Sequence, residues 1–189
     1  MSNPILEKLG PLRPLVGTWE GGSGLDIAPS AVREIEETKF RERMVFEPFG
    51  PAENHEQVLY GLRYHLQAWR DPGEGDPFHD EIGYWYWDAK NQWIMKSLTI
   101  PRAMAVLAGG TCAPDSKKFK VSARVGSGTF GILSNPFLED EFKTLSFEQE
   151  VEIRADGTFT YAENTVMMLK GRTQLFEHKD RNVLKKVKD

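Results

Sequence analysis

The chain has 189 residues, of which 40% are hydrophobic and 28% are charged, and this composition is typical of a globular domain with a core. The formal net charge of -4 argues against a nucleic-acid partner, because surfaces that bind nucleic acid are usually basic. A single cysteine, Cys112, excludes a disulfide framework, and with no stretch resembling a signal peptide or a membrane span the chain is expected to be cytoplasmic, without a membrane partner.

The predicted elements begin with a short helix over residues 4–13, which Pro14 ends. After it the helical period almost disappears, and segments with period-two alternation follow one another between clusters of Gly, Pro, Asn and Asp. The clearest segment covers residues 58–68, where one face is apolar and the other carries Arg63, His65 and Gln67, which indicates a half-buried strand. Further strands are predicted over residues 32–46, 78–88, 93–100, 119–125, 145–153, 158–169 and 182–187.

This order of elements predicts an all-β fold. Many sequential strands with hairpin connections favour an antiparallel meander, and a long meander protects its edges by closing. We therefore expect a single closed antiparallel β-barrel of about ten strands, preceded by a short helix, with residues 1–189 forming one domain. Two apolar segments, residues 100–110 and 131–142, are predicted loops that either cap the core or form a lid over a hydrophobic ligand.

Three segments carry a family resemblance: "LVGTWEGGSG" near the start, "HDEIGYWYW" in the middle and "FEHKDRNVLKKV" near the end. In order and approximate spacing they resemble nitrobindin, the haem-binding β-barrel family, a calycin-type fold related to the fatty-acid-binding proteins. The residues that match its motifs are Gly17, Trp19 and Gly21 in the first segment, His79, Glu81, Gly83, Tyr84 and Trp85 in the second, and His178 in the third.

The resemblance implies both a fold and a function. Haem-binding members of the family form ten-stranded antiparallel barrels and hold ferric haem b through one proximal histidine, which His178 matches as the iron ligand. They bind nitric oxide and isomerise peroxynitrite to nitrate, so an enzymatic activity is expected here only if haem is bound. The other cofactor-binding candidates, which share one strand face and would form the pocket wall, are His79, Glu81, Gly83 and Trp85.

Other interpretations stay open from the sequence. Residues 25–37 lack the Tyr-Pro-Thr segment that shapes the family's haem pocket, so the alternative is a haem-free carrier of another hydrophobic, fatty-acid-like ligand. A third interpretation is an interaction domain without a ligand. Alternation alone also allows Ile82, Tyr84 and Tyr86 to face the interior in place of His79. The expected partner is a small hydrophobic molecule, and whether the barrel forms a homodimer stays open.

Overall fold

The computed structural model describes residues 3–188, which begin with two 3-10 helices, Pro4–Lys8 and Gly10–Leu15. The strands that follow are β1 (Gly17–Pro29), β2 (Ile35–Asn54), β3 (Gln57–Arg70), β4 (His79–Asp88), β5 (Trp93–Ile100), β6 (Met104–Thr111), β7 (Lys118–Val125), β8 (Gly131–Ser134), β9 (Phe142–Ile153), β10 (Thr158–Leu169) and β11 (Phe176–Lys188). One short α-helix, α1 (Pro136–Glu141), lies between β8 and β9. No helix in the part of the chain that is described has the length and apolar character needed to span a membrane.

The strands close into one barrel, as the alternation predicted, but not as a purely antiparallel meander of about ten strands. Eleven strands follow the order β1-β11-β10-β9-β7-β8-β6-β5-β4-β3-β2 around the barrel, and β8 runs parallel to β7. The reason lies in β6 and β7, which pair directly only between Gly109 and Ser122. Where these two strands diverge, β8 fits between them and supplies the missing main-chain partners.

The two apolar segments predicted as loops are mostly regular structure. All eight residues of β6 pair with β5, so the segment over residues 100–110 is largely a barrel strand. Val106 and Ala108 are buried while Leu107 between them is 40% exposed. The period-two pattern was obscured because the outward residue is also apolar. Residues 131–142 form β8, α1 and the first residue of β9.

The N-terminal 3-10 helices close one end of the barrel. Pro11 and Pro14 prevent the regular helix that was expected over residues 4–13. Leu9, Leu12 and Leu15 are at most 1% exposed. Trp19 is buried above them and donates a hydrogen bond of 2.7 Å from Nε1 to the carbonyl oxygen of Leu15. This end is therefore closed by packed side chains, and the larger internal cavity lies towards the other end.

Candidate functional site

A cavity of about 280 Å³ lies inside the barrel at the end opposite the 3-10 helices. Solvent reaches it, because the His79 and His178 side chains that line it are 39% and 31% exposed. Helix α1 contributes the buried Leu138 to its wall. Much of the remaining wall is apolar, and it includes Phe40, Phe78, Ile100, Met104 and Phe142.

Four polar side chains form a row across one wall of this cavity. Gln149 on β9 pairs with Glu163 on β10, Glu163 with Asp180 on β11, and Asp180 with Asp26 on β1. All four residues line the cavity, and we call them the acidic row. Cross-strand neighbours have Cβ atoms roughly 5 Å apart, so the three carboxyl groups are adjacent and like charges on them oppose folding.

Several acceptors of the acidic row lack a hydrogen-bond donor. Within residues 3–188, Oδ1 of Asp180 and Oε1 of Gln149 are buried and accept no hydrogen bond. No described residue donates a hydrogen bond to the Glu163 carboxyl group either. Burial raises the pKa of Glu163 well above its ordinary value and raises that of Asp180 to about 6. The row therefore offers unused acceptors to the space in front of it.

His178 is paired with the end of the acidic row. Its Nε2 lies 2.7 Å from Oδ1 of Asp26. Burial alone would lower the pKa of His178, but the hydrogen bond to Asp26 and the charge of that carboxylate raise it above its ordinary value. The ring therefore keeps its second proton to a higher pH than an ordinary histidine, and in that form both ring nitrogens are donors.

A second charged cluster lies deeper in the cavity and centres on Glu81. The Glu81 Oε1 atom lies 2.9 Å from Nζ of Lys96 and accepts a hydrogen bond of 2.6 Å from the Tyr64 hydroxyl. His79 Nε2 lies 3.7 Å from the other carboxylate oxygen. Burial would raise the pKa of Glu81, but the charge of Lys96 and the contact with His79 hold it below its ordinary range. Lys96 and Glu81 are thus a satisfied internal ion pair.

Glu42 is buried between the two clusters and the closed end. It is 3% exposed, and it accepts hydrogen bonds from Nδ2 of Asn182 at 2.7 Å and from the Tyr161 hydroxyl at 3.1 Å. Burial raises its pKa to about 8, although both hydrogen bonds act in the opposite direction. Glu42 is therefore mainly protonated at neutral pH.

The structure brings three of the residues predicted from the family motifs into the cavity: His79, Glu81 and His178. It places Gly83 and Trp85 on the same inward-facing side of β4 but outside the residues that line the cavity. A Cβ atom at Gly83 would lie 2.0 Å from the carbonyl oxygen of Ser97, so this glycine permits close strand approach. Ile82 and Tyr84 face outward and are 54% and 40% exposed.

The first motif lies away from the cavity. Gly17 and Trp19 lie at the start of β1, beside the closed end, where Trp19 packs edge-to-face on Phe159. A Cβ atom at Gly21 would lie 2.7 Å from Nδ2 of Asn182, so Gly21 makes room for the amide that holds Glu42. These residues support the architecture beneath the cavity.

Lys96, Glu42 and the acidic row are site residues that were not predicted from the sequence. The alternation of β5 contains a signal for Lys96. This lysine is two residues from both Ile94 and Leu98, which face the interior, so its side chain faces the interior too. Glu42 stands in the same way between Phe40 and Met44. A charged residue at an inward position of a strand marks an internal site.

A larger hollow of about 950 Å³ lies on the outer surface of the barrel. Its exposed apolar residues include Ile82, Leu107 and Leu133. Among its charged residues, Glu47 and Arg63 pair with each other at 2.6 Å and are both more than half exposed. The internal cavity, with its buried and unpaired polar groups, is therefore the stronger candidate site.

Comparison with known proteins places this arrangement in a family. The family model described as "THAP4-like, heme-binding beta-barrel domain" matches residues 8–186. The solved structure of Rv2717c from M. tuberculosis is similar with a TM-score of 0.66 and 20% sequence identity, covering 99% of each chain. At that identity the likeness concerns the fold alone. A comparison with curated proteins found no match.

Proposed function

This chain belongs to the family of THAP4-like, haem-binding β-barrel domains, and we propose that it binds a small molecule with an apolar body inside the barrel, without haem. The observation that carries the proposal is the solvent-accessible cavity of about 280 Å³, in which an apolar wall surrounds a few polar groups without partners. Small-molecule sites in proteins have this composition, because apolar surface supplies affinity and a few polar groups fix orientation.

Haem is the second candidate, and two observations favour it: the family, and the position of His178 on the cavity wall. An axial imidazole must be neutral and must present a free nitrogen to the iron. Here Nε2 of His178 is paired with Asp26, which leaves only Nδ1 for iron, and the raised pKa of the ring disfavours its neutral form. The volume of about 280 Å³ also lies just below the range usual for sites of drug-sized ligands.

The residues of the cavity therefore do not fit haem in the arrangement described. Nitric oxide binding and peroxynitrite isomerisation, which the family resemblance implies, both depend on haem, and we propose neither. An interaction domain without a ligand is disfavoured for a separate reason. Buried acceptors without donors oppose folding, and a barrel with no guest gains nothing from them.

Two measurements test this proposal. Native mass spectrometry of the protein as purified is expected to show a bound small molecule or, after its removal, one-to-one binding of an added apolar compound such as 1-hexanol. Titration with hemin is expected to give no Soret band that saturates at one equivalent. A saturating Soret band that disappears in His178→Ala, together with no binding of small apolar compounds, would replace the proposal with the haem candidate.

A further inference from the structure

Within the acidic row, Glu163 and Asp180 differ from Asp26 because neither is in contact with a cation among the described residues. Lys96 and His79 both contact Glu81, and His178 contacts Asp26. Arg102 lies with its guanidinium 5.9 Å from the centre of the Phe142 ring, and its side chain is exposed. No described cation of the cavity therefore contacts the carboxyl groups of Glu163 and Asp180, although the charge of Lys96 acts on Glu163 and that of His178 on Asp180 from a greater distance.

These two carboxyl groups act together with Gln149. The Gln149 side chain is 4% exposed, lines the same cavity and has an amide oxygen that accepts no hydrogen bond from any described residue. Gln149 and Asp180 flank Glu163 on the two neighbouring strands. Three adjacent acceptors thus face one space, and a buried acceptor without a donor costs about 1–3 kcal/mol.

The chemistry of a complementary guest follows from this count. An anion would be repelled by the carboxyl groups, and an uncharged apolar guest would leave all three acceptors without donors. A primary ammonium group carries one positive charge and three N–H donors and accepts no hydrogen bond. Apolar residues on the other walls, such as Leu98, Val106 and Phe147, would contact a hydrocarbon body attached to it.

A divalent metal ion is the competing occupant. Asp26, His178 and Asp180 offer ligand atoms that all lie within 4.8 Å of one another. However, the pair between His178 and Asp26 already uses one atom of each, and this set omits both Glu163 and Gln149. A metal ion there would leave two of the three unused acceptors without partners.

We propose that the cavity selects a primary organic amine, bound as its ammonium ion by Glu163, Asp180 and Gln149, with its hydrocarbon part against the apolar wall. This inference rests on the proposed function, because it names the class of small molecule that the barrel binds. It assigns a role to Glu163, Asp180 and Gln149, none of which was among the residues matched to the family motifs.

Three probes with the same six-carbon chain test the inference by isothermal titration calorimetry at pH 7: hexylamine, 1-hexanol and hexanoate. Hexylamine is expected to bind roughly tenfold more tightly than 1-hexanol. Its ammonium group would donate charge-assisted hydrogen bonds to acceptors that otherwise have no donor. Hexanoate is expected to bind most weakly. Glu163→Gln and Asp180→Asn are each expected to weaken hexylamine binding roughly tenfold and 1-hexanol binding by less than about twofold.

Glu150→Gln is the matched control. Glu150 follows Gln149 on β9, but its side chain is 44% exposed and pairs with Lys118 on the outer surface. This variant is expected to bind all three probes like the parent protein. Circular dichroism and thermal unfolding identify any variant that fails to fold, and either of the two cavity variants alone suffices for the comparison.

The outcomes separate the two levels of the proposal. Equal affinity for hexylamine and 1-hexanol, or tighter binding of hexanoate, would overturn the amine inference and leave the small-molecule cavity in place. Binding of hexylamine that survives both cavity substitutions would also overturn the inference. So would competition of Zn²⁺ with hexylamine that is lost in Asp26→Asn, because it would identify a metal site. Binding of none of the probes, together with a saturating hemin signal, would overturn the proposed function as well.

Discussion

Glu163 on β10 and Asp180 on β11 are direct cross-strand partners, and both line the cavity inside the barrel. Ionisation of both carboxyl groups in this position is unfavourable, and burial, which raises the pKa of Glu163, adds to the opposition to folding. A guest cation between them would remove it. The pair is therefore expected to lower the stability of the empty barrel.

Glu163→Gln is expected to raise the free energy of unfolding of the ligand-free protein at pH 7 by about 1 kcal/mol, because it removes one of two adjacent acids. Urea unfolding followed by tryptophan fluorescence measures the change. Glu150→Gln, which removes an exposed carboxylate from the neighbouring strand, is expected to change stability by less than about 0.5 kcal/mol. Destabilisation by Glu163→Gln would show that the carboxyl group has a stabilising partner in the empty barrel.

Thr165→Phe is expected to abolish ligand binding while the barrel still folds. Thr165 is 8% exposed and lines the cavity. It is the next residue after Glu163 on the same face of β10, towards the open end of the barrel. An aromatic ring at this position would occupy the space, and phenylalanine is well suited to a strand. Calorimetric titration with hexylamine and 1-hexanol measures the loss of binding.

Val166→Phe is the control for that variant, because residue 166 has the opposite parity on the same strand. It is expected to bind both probes with the affinity of the parent protein. Retained binding in Thr165→Phe would mean that the probes bind elsewhere, for instance in the hollow on the outer surface.

Glu42→Gln is expected to change how stability depends on pH. Burial raises the pKa of Glu42 from 4.5 to about 8 in the folded protein. Below pH 4.5 the carboxyl group is protonated in both states, whereas between pH 4.5 and 8 only the folded protein keeps the proton. Stability contributed by Glu42 therefore falls as pH rises through this window and is constant above it.

The measurement is the difference in unfolding free energy between Glu42→Gln and the parent protein, taken at several pH values from 5 to 8. The variant is expected to gain about 3 kcal/mol relative to the parent over this range, because each pH unit contributes up to about 1.4 kcal/mol. A difference that does not change with pH would mean that Glu42 has a nearly ordinary pKa in the fold.

The family and the closed barrel were predictable from the sequence, because local patterns determine both. The G-x-W and H-x-E-x-G-Y-W motifs led to the haem-binding β-barrel family, and the match over residues 8–186 confirms that resemblance. Alternation predicted a strand over residues 58–68, which lies within β3 (Gln57–Arg70). The parallel pairing of β8 was not predictable, because it depends on the divergence of β6 and β7 and not on any local sequence signal.

The content of the cavity was only partly predictable. His178 was expected to bind the haem iron. Its pairing with Asp26 was not predictable, because the two residues are 152 positions apart in the sequence. The acidic row depends in the same way on the register of four strands, and register cannot be obtained from one strand's alternation. The sequence does show which charged residues alternate with apolar, inward-facing ones, and that pattern would have identified Lys96.

Gly10→Ala is expected to destabilise the protein by about 2 kcal/mol without changing ligand affinity. Gly10 has a φ of +53°, and a Cβ atom there would lie 2.4 Å from Nε1 of Trp87. The strain falls on the closed end, away from the cavity. Gly22→Ala is the control, since a Cβ atom at Gly22 meets nothing within 4 Å. Thermal unfolding and titration with hexylamine are the measurements, and a loss of affinity in Gly10→Ala would show that the two ends are coupled.

Lys96→Met tests the ion pair beneath the acidic row. Lys96 is 2% exposed and its Nζ lies 2.9 Å from Oε1 of Glu81, with the rings of Tyr64 and Phe147 close by. Removal of the cation leaves a buried carboxylate without its main partner, and we expect a loss of about 3 kcal/mol in unfolding free energy. The double variant Lys96→Met/Glu81→Gln is expected to recover most of that loss, because it removes the unpaired charge as well.

The exposed pair of Lys120 and Glu148, at 2.8 Å, provides the matched control. Lys120→Met is expected to cost less than about 1 kcal/mol, because water and salt screen a surface ion pair. A similar small loss for Lys96→Met would contradict the prediction and would mean that Glu81 takes up a proton when its partner is removed. Repeating the unfolding of Lys96→Met at pH 5 and pH 8 distinguishes these cases, since a carboxyl group that binds a proton on folding makes stability fall as the pH rises.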